Sequence, residues 1–442
     1  MKWGRMAMAG VLLAALGIAV WWSNRQETAK EGRPAADAPP KILALGADTV
    51  KQIEIRHRGD PPVTLQLNGS KWAITSPKPL PADSAAVTGV TSAASTLTAE
   101  RVVDPNVTDL TSYGLAPAAI EVDLTAKDGK TSKLLIGDNT PTGSAVYAKL
   151  DGDPRLFTMA SGSKSAFDKE TKDLRDKSLL PFTQDKVSRI EITAQKQTYE
   201  FDKKGENEWQ IVKPKAMRAD TIQADDLVQR LKNAEMDLSG VQDDKKNAAA
   251  FSAAPALAVA KVTDQDGTKT LEIRKAKDDY FAKSSAVEGI YKVSKTLGDG
   301  LDKPVDNFRN KKAFDFGFSD PTRIEVTDGG KTTIFDKSGE TWTSGGKKMD
   351  VTSVQAFIDR LRDLAATKFV DAGFTTPVVT VTVLSNQGKL HEKVEIAQAA
   401  SGGNFLARRD GDASFYELEA NTVKELRQAV GDVREAQPEK KK

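Results

Sequence analysis

Cysteine is absent from the 442 residues, which excludes disulfides, thiolate metal sites, a cysteine nucleophile and an N-terminal lipoprotein cysteine. Histidine is nearly absent too, with only His57 and His391. No His pair or HExxH spacing exists, so a zinc centre or a histidine-based triad would need partners the sequence does not group. Charge of one sign is also missing: 64 Lys+Arg against 62 Asp+Glu leaves a formal +2, giving no whole-chain footprint for nucleic acid. With 39% hydrophobic and 29% charged residues, the chain is ordinary globular material, long enough for about three domains.

Long apolar runs are lacking except at the start. After Lys2 and Arg5, Met6 to Trp22 carries no charge and includes Val11, Leu12, Leu13, Leu16, Ile18 and Val20. That length suits a short membrane-spanning helix or a long signal-peptide core. Trp21 and Trp22 suit the headgroup interface and no Ala-x-Ala stands there, which favours an uncleaved anchor over a cleaved signal. Basic residues flank both sides, with Arg25, Lys30 and Arg33 answering Lys2 and Arg5, so orientation rests on the short head and the long body behind it. These favour an inner-membrane, single-pass protein with its bulk on the periplasmic side. Gln26 to Pro40 lacks an apolar period and reads as a flexible stalk.

Beyond the stalk the chain repeats. Val50-Lys-Gln-Ile53-Glu54-Ile55, Val187-Ser-Arg-Ile190-Glu191-Ile192 and Thr322-Arg-Ile324-Glu325-Val326 each alternate as a half-buried strand. A second strand follows, then Trp72, Trp209 or Trp342, spaced about 135 residues apart. Each tryptophan precedes an aspartate and a helical stripe in one register. The stripes are Val87, Val90, Ala94 and Leu97 after Asp83; Ala224, Leu227 and Leu231 after Asp220; and Val354, Phe357, Leu361 and Leu364 after Asp350. The aspartates read as N-caps. Hairpins turning at Asp128-Gly129, Asp266-Gly267 and Gln387-Gly388 follow, then another strand pair and a short closing helix.

The expected fold class is α+β, as three tandem modules of antiparallel sheet with packed helices plus one N-terminal transmembrane helix. The organisation is an anchor or signal segment over 1–25, a linker over 26–41, modules over 42–182, 183–318 and 319–434, and a disordered tail over 435–442. Short joints between copies, Leu174-Arg175-Asp176-Lys177 to Phe182 and Phe308-Arg309-Asn310-Lys311 to Phe316, predict end-to-end packing.

Candidate chemistry is thin. The loop Gly137-Asp-Asn-Thr-Pro-Thr-Gly143 lacks a Gly-Lys-Ser/Thr ending and precedes a strand, so a hairpin is favoured over a phosphate loop. Asp264-Gln-Asp266-Gly267, Asp151-Gly-Asp153 and Asp410-Gly-Asp412 echo calcium loops but lack the later ligands and fall at hairpin turns. The tryptophans read as packing residues rather than a ligand platform. No catalytic, cofactor-binding or metal residue is nominated, and no cofactor is expected.

Trp72-Ala-Ile74 with Pro77 and Ala82-Asp83, Tyr113-Gly114-Leu115-Ala-Pro117, Leu135-Ile136-Gly137 and Leu174-Arg175-Asp176-Lys177 resemble the bacterial envelope family called domain of unknown function 4340. The later copies only echo it, with Phe251-Ser-Ala-Ala-Pro255, Gly373-Phe-Thr-Thr-Pro377 and Gly345-Gly346 after Trp342. The resemblance implies a gene neighbourhood of Gld-type ABC transporter subunits. It thereby implies a non-catalytic accessory or scaffold role, with protein partners in such a complex and no nucleic acid. A periplasmic module binding an envelope polymer or small ligand is the alternative, and an enzyme is the third. Deleting residues 1–25 is expected to release a soluble body from membranes, as judged by ultracentrifugation; a truncated protein that stays in the pellet contradicts the anchor.

Overall fold

The computed structural model describes residues 40–437 apart from 206, 207, 241, 242 and 320. The run Met6 to Trp22 and most of the stalk lie outside these residues, as does the tail from 438. Among the described residues no helix is long and apolar enough to cross a membrane. The contacts divide the chain into a unit ending at Lys177 and a unit beginning at Ser178.

In the first unit the strands are β1 (Val50–His57), β2 (Val63–Asn68), β3 (Lys71–Ser76) and β4 (Leu80–Pro81), then helix α1 (Ser84–Thr96). β5 (Arg101–Asp104), β6 (Ile120–Ala126), β7 (Thr131–Asn139), β8 (Ala145–Leu150) and β9 (Leu156–Ala160) follow, closed by α2 (Ser161–Phe167) and α3 (Thr171–Leu174). The sheet order is β4-β3-β2-β1-β6-β7-β8-β9-β5, with antiparallel neighbours. Two meanders thus fuse where β6 returns beside β1, pairing Ile53 with Leu124 and Ile55 with Val122.

The second unit holds two more copies. One has β10 (Arg189–Ala194), β11 (Gln197–Lys203), β12 (Trp209–Lys213), β13 (Met217–Arg218), α4 (Thr221–Lys232), α5 (Asp244–Ala253), β14 (Ala256–Asp264), β15 (Gly267–Ala276), β16 (Asp279–Ser284), β17 (Ile290–Val293) and α6 (Lys295–Leu301). The other has β18 (Arg323–Asp328), β19 (Lys331–Ser338), β20 (Thr341–Ser344), β21 (Lys347–Lys348), α7 (Val351–Asp363), β22 (Lys368–Val370), β23 (Pro377–Ser385), β24 (Leu390–Gln398), β25 (Phe405–Arg409), β26 (Phe415–Leu418) and α8 (Ala420–Gly431). Their sheet orders, β13-β12-β11-β10-β14-β15-β16-β17 and β21-β20-β19-β18-β23-β24-β25-β26-β22, repeat the first. Three antiparallel sheets with helices make the class α+β.

The helices α1, α4 and α7 form for one reason. Asp83 accepts from the Ala85 and Ala86 N–H groups, Asp220 from Gln223 and Asp350 from Ser353, satisfying free donors of the first turn. The buried residues then fall at matching offsets: Val87, Val90, Thr91 and Ala94; Ala224, Leu227, Val228 and Leu231; Val354, Phe357, Ile358 and Leu361. Steps of three and four place them on one stripe against one sheet face. Each sheet has its own core on that face.

Matched backbone bonds close each copy. The N–H groups of Asp83, Asp220 and Asp350 donate to the carbonyls of Leu174, Phe308 and Arg434, each at 2.8 Å. At the other end of the helix, Ile42 donates to Leu97, Leu179 to Ala234 and Ala313 to Leu364. Leu179, Leu180 and Phe182 therefore join the core of the second copy, and Ala313, Phe314 and Phe316 that of the third, so these two cores take in residues ahead of 183 and 319. Glu435 bridges Met349 and the Ala436 N–H donates to Lys348, so the expected tail is paired at its first two residues.

In the second copy an inserted helix, α5, packs on β15, β16 and β17; the sequence reading missed it, because only Asn247 and Phe251 of this helix are buried and no stripe announces it. Phe251 lies under the Arg274 guanidinium at 4.5 Å from its centroid.

Trp209 and Trp342 are buried and pack in their cores, whereas Trp72 is half-buried at the same hairpin position. Substituting Trp342→Ala is expected to cost about 3 kcal/mol and Asp350→Ala about 1 kcal/mol in denaturant unfolding, with Trp72→Ala costing less than Trp342→Ala. Equal losses at Trp72 and Trp342 contradict this ranking.

Candidate functional site

Most of the residues that the sequence singled out for chemistry hold local structural roles. His57 Nε2 lies 2.8 Å from Asp168 Oδ1, the residue capping α2, and ties the end of β1 to that helix. His391 is exposed on β24. The Gly137–Gly143 loop is the β7–β8 hairpin, with the Thr140 N–H donating to Ala145 and Gly143 to Thr140. A Cβ on Gly137 would sit 2.2 Å from the Tyr113 carbonyl, and one on Gly114, at φ +66°, 2.3 Å from Asp138 Cγ. Tyr-Gly-Leu and Leu-Ile-Gly are thus two sides of one close contact, which only glycine permits.

The aspartate turns are equally occupied. Asp264 accepts from the Thr183 N–H at 3.0 Å, the Asp266 N–H at 3.0 Å and Lys269 Nζ at 2.9 Å. Burial alone would raise its pKa, but these donors hold it below the ordinary carboxylate value. Asp153 forms a two-point ion pair with Arg155, which also lies over Phe157 at 4.9 Å. Among the described residues no group of three or more His, Asp or Glu could hold a metal ion.

Two clusters remain. The first is a depression of about 620 Å³ on the open face of the second sheet, lined by charged residues of β10, β11, β12 and β14. Arg189 pairs with Asp202 at 2.7 Å and Glu200 at 3.3 Å, Lys213 with Glu200 at 2.8 Å, and Lys261 with Glu191 at 2.6 Å. Opposite charges already satisfy one another across this face.

The second cluster joins the second and third copies. Arg218 ends β13, and its Nη2 lies 2.9 Å from the Tyr416 hydroxyl and its Nε 3.6 Å from Asp412. It also pairs with Asp315 and donates to the Lys312 carbonyl. Arg409 bridges Asp315 at 3.1 Å and the buried Glu392 at 2.6 Å, and the Tyr416 hydroxyl donates to Asp412. Nearby, Arg309 stacks on Phe369 at 3.4 Å, and Lys215 pairs with Asp371, holding that carboxylate below its usual range. Burial pushes the Tyr416 phenol up to about 12, against the Arg218 charge, so it is not an acid or base near neutrality. The cluster acts as a lock between modules. Sequence reasoning missed it because Arg218 has no counterpart in the repeat: Pro81 and Lys348 hold its position.

The family described as a domain of unknown function, DUF4340, matches residues 72–236 and again 209–382. The chain belongs to the DUF4340 family. Both matches begin at equivalent tryptophans, Trp72 and Trp209, so the DUF4340 unit repeats in step with the sheets. No curated protein and no solved structure matches the chain significantly.

Arg218→Ala leaves Asp412 without its cation and Asp315 with Arg409 alone, and is expected to destabilise the second unit by about 3 kcal/mol in denaturant unfolding. Tyr416 contributes in alkali. Its folded pKa of about 12 exceeds the reference 10.0, so its stabilisation is complete below pH 10 and disappears as pH rises from 10 to 12. Tyr416→Phe should flatten that alkaline loss; an unchanged slope contradicts the assignment.

Proposed function

We propose that this DUF4340 protein is a non-catalytic accessory or scaffold component of a Gld-type ABC transport system, anchored by Met6 to Trp22 in the inner membrane with its body on the periplasmic side. The observation that carries the reading is the matched use of polar groups: the repeated aspartates cap helices, and the turn aspartates and His57 hold local structure. What is left for function is surface. Phe318 is 97% exposed and Ile222 71%, side chains that gain from being covered by a partner.

A binding module for an envelope polymer or small ligand is the second reading, favoured by the charged depression on β10–β14. Crosslinking the full-length protein in native membranes is expected to recover an ABC permease or auxiliary subunit. Retention on isolated cell-wall material without such a subunit favours the second reading. Hydrolysis of an envelope substrate that is lost on changing one or two acidic residues overturns both.

A further inference from the structure

Asn68-Gly69 is the only Asn-Gly pair in the 442 residues. It stands at the tip of the β2–β3 hairpin, where Asn68 ends β2 and pairs with Lys71, so that Gly69 and Ser70 form a two-residue turn. Gly69 takes φ +63°, the left-handed value that the first central position of such a turn requires. Asn68, Gly69 and Ser70 are all exposed, and a Cβ on Gly69 would meet nothing within 4 Å.

The third copy shows that the turn does not need the asparagine. There Ser338 pairs with Thr341 across Gly339 and Glu340, and Gly339 has φ +59°. Serine and glycine thus build the same hairpin beside Trp342 that asparagine and glycine build beside Trp72. The amide of Asn68 is also free of restraints found elsewhere in the chain. Nδ2 of Asn247 donates to the Ile290 carbonyl, that of Asn310 to Asp315, that of Asn404 to Glu417 and that of Asn421 to Glu425. Among the described residues no such bond holds the Asn68 side chain.

An asparagine side chain can be attacked by the main-chain nitrogen of the next residue, which closes a succinimide ring. A side chain on that next residue crowds the approach, whereas glycine has none and leaves the backbone free to bring nitrogen and Cγ together. The strand ladder ends at the Asn68–Lys71 pair, so the Gly69 nitrogen lies outside it.

We propose that Asn68 is a site of spontaneous covalent modification, converting to aspartate and isoaspartate in the folded protein. The Gly69 nitrogen gives up its proton and bonds to Asn68 Cγ; the Cγ–Nδ2 bond breaks, and Nδ2 leaves as ammonia with that proton. Water then opens the succinimide. Attack at Cγ gives aspartate, and attack at the Asn68 main-chain carbonyl gives isoaspartate, in which the backbone runs through Cβ and Cγ. Either product adds a negative charge, and isoaspartate also lengthens the main chain by a methylene at the end of β2. The neighbouring pair is Leu67 with Trp72, so the change falls beside the residue at which the first DUF4340 match begins.

The test incubates the folded full-length protein in mildly alkaline buffer and follows the tryptic peptide Gly59–Lys71, whose only asparagine is Asn68, by mass spectrometry. A gain of about 1 Da is expected with time, split between two chromatographic products, one of which accepts a methyl group from an isoaspartate-specific methyltransferase. The peptide holding Asn106, which is exposed but followed by Val107, should convert more slowly. Asn68→Ser borrows the residue of the third copy, and should keep the fold while abolishing the gain. A peptide that stays unchanged in the folded protein while urea-unfolded protein converts overturns the proposal, because the hairpin then holds nitrogen and Cγ apart. A gain that persists in Asn68→Ser places the reaction at Gln66 and overturns it as well.

Discussion

One backbone hydrogen bond organises every copy: the N–H of the capping aspartate, Asp83, Asp220 or Asp350, donating to the carbonyl of Leu174, Phe308 or Arg434. Each sheet consists of two meanders meeting along a single strand pair, β1–β6, β10–β14 or β18–β23. The first meander ends at the helix and the last strand leads to the closing segment, so this bond ties beginning to end on the helix-covered side. The same aspartate also satisfies the first helical turn through its carboxylate. Its backbone and side chain thus fix both the helix start and the closing segment, and buried backbone donors that lost those partners would be costly.

Because the closure is made by main-chain atoms, it tolerates wide change in side chains. Leucine, phenylalanine and arginine all present the accepting carbonyl, although only the first two also fill the core. The start of the edge segment behaves alike: the N–H groups of Glu100, Asp237 and Thr367 donate to Thr158, Lys292 and Glu417. The first and third copies then extend into β5 and β22, while the second leaves the sheet toward α5. A scaffold held in this way can diverge in its surfaces without losing its topology, which suits a role carried by contacts.

The legible parts of the fold were those with a period. The stripes after Asp83, Asp220 and Asp350 and the alternation of the opening strands follow from burial on one face, and the structure places them at matching offsets. α5 was not legible, since a helix anchored by Phe251 and Asn247 alone has no stripe to count. The Arg218 cluster was hidden for a different reason: Asp315, Glu392, Arg409, Asp412 and Tyr416 are scattered along the sequence, and only the packing of two modules gathers them. Trp72 shows the limit of argument by repeat, because its hairpin position matches Trp209 and Trp342 while its burial does not.

The short outer strands have a consequence for solubility. A sheet edge exposes unpaired amides that can template the addition of another chain, and a protein built of three separate sheets has several such edges. Here β4, β13 and β21 each contain two residues, one of them proline in β4 and both lysine in β21. Two residues offer too few donors and acceptors to recruit a stranger's strand, and proline or paired lysines discourage it further. The chain can therefore carry three sheets of eight or nine strands while leaving little purchase at these edges for fibril-like growth.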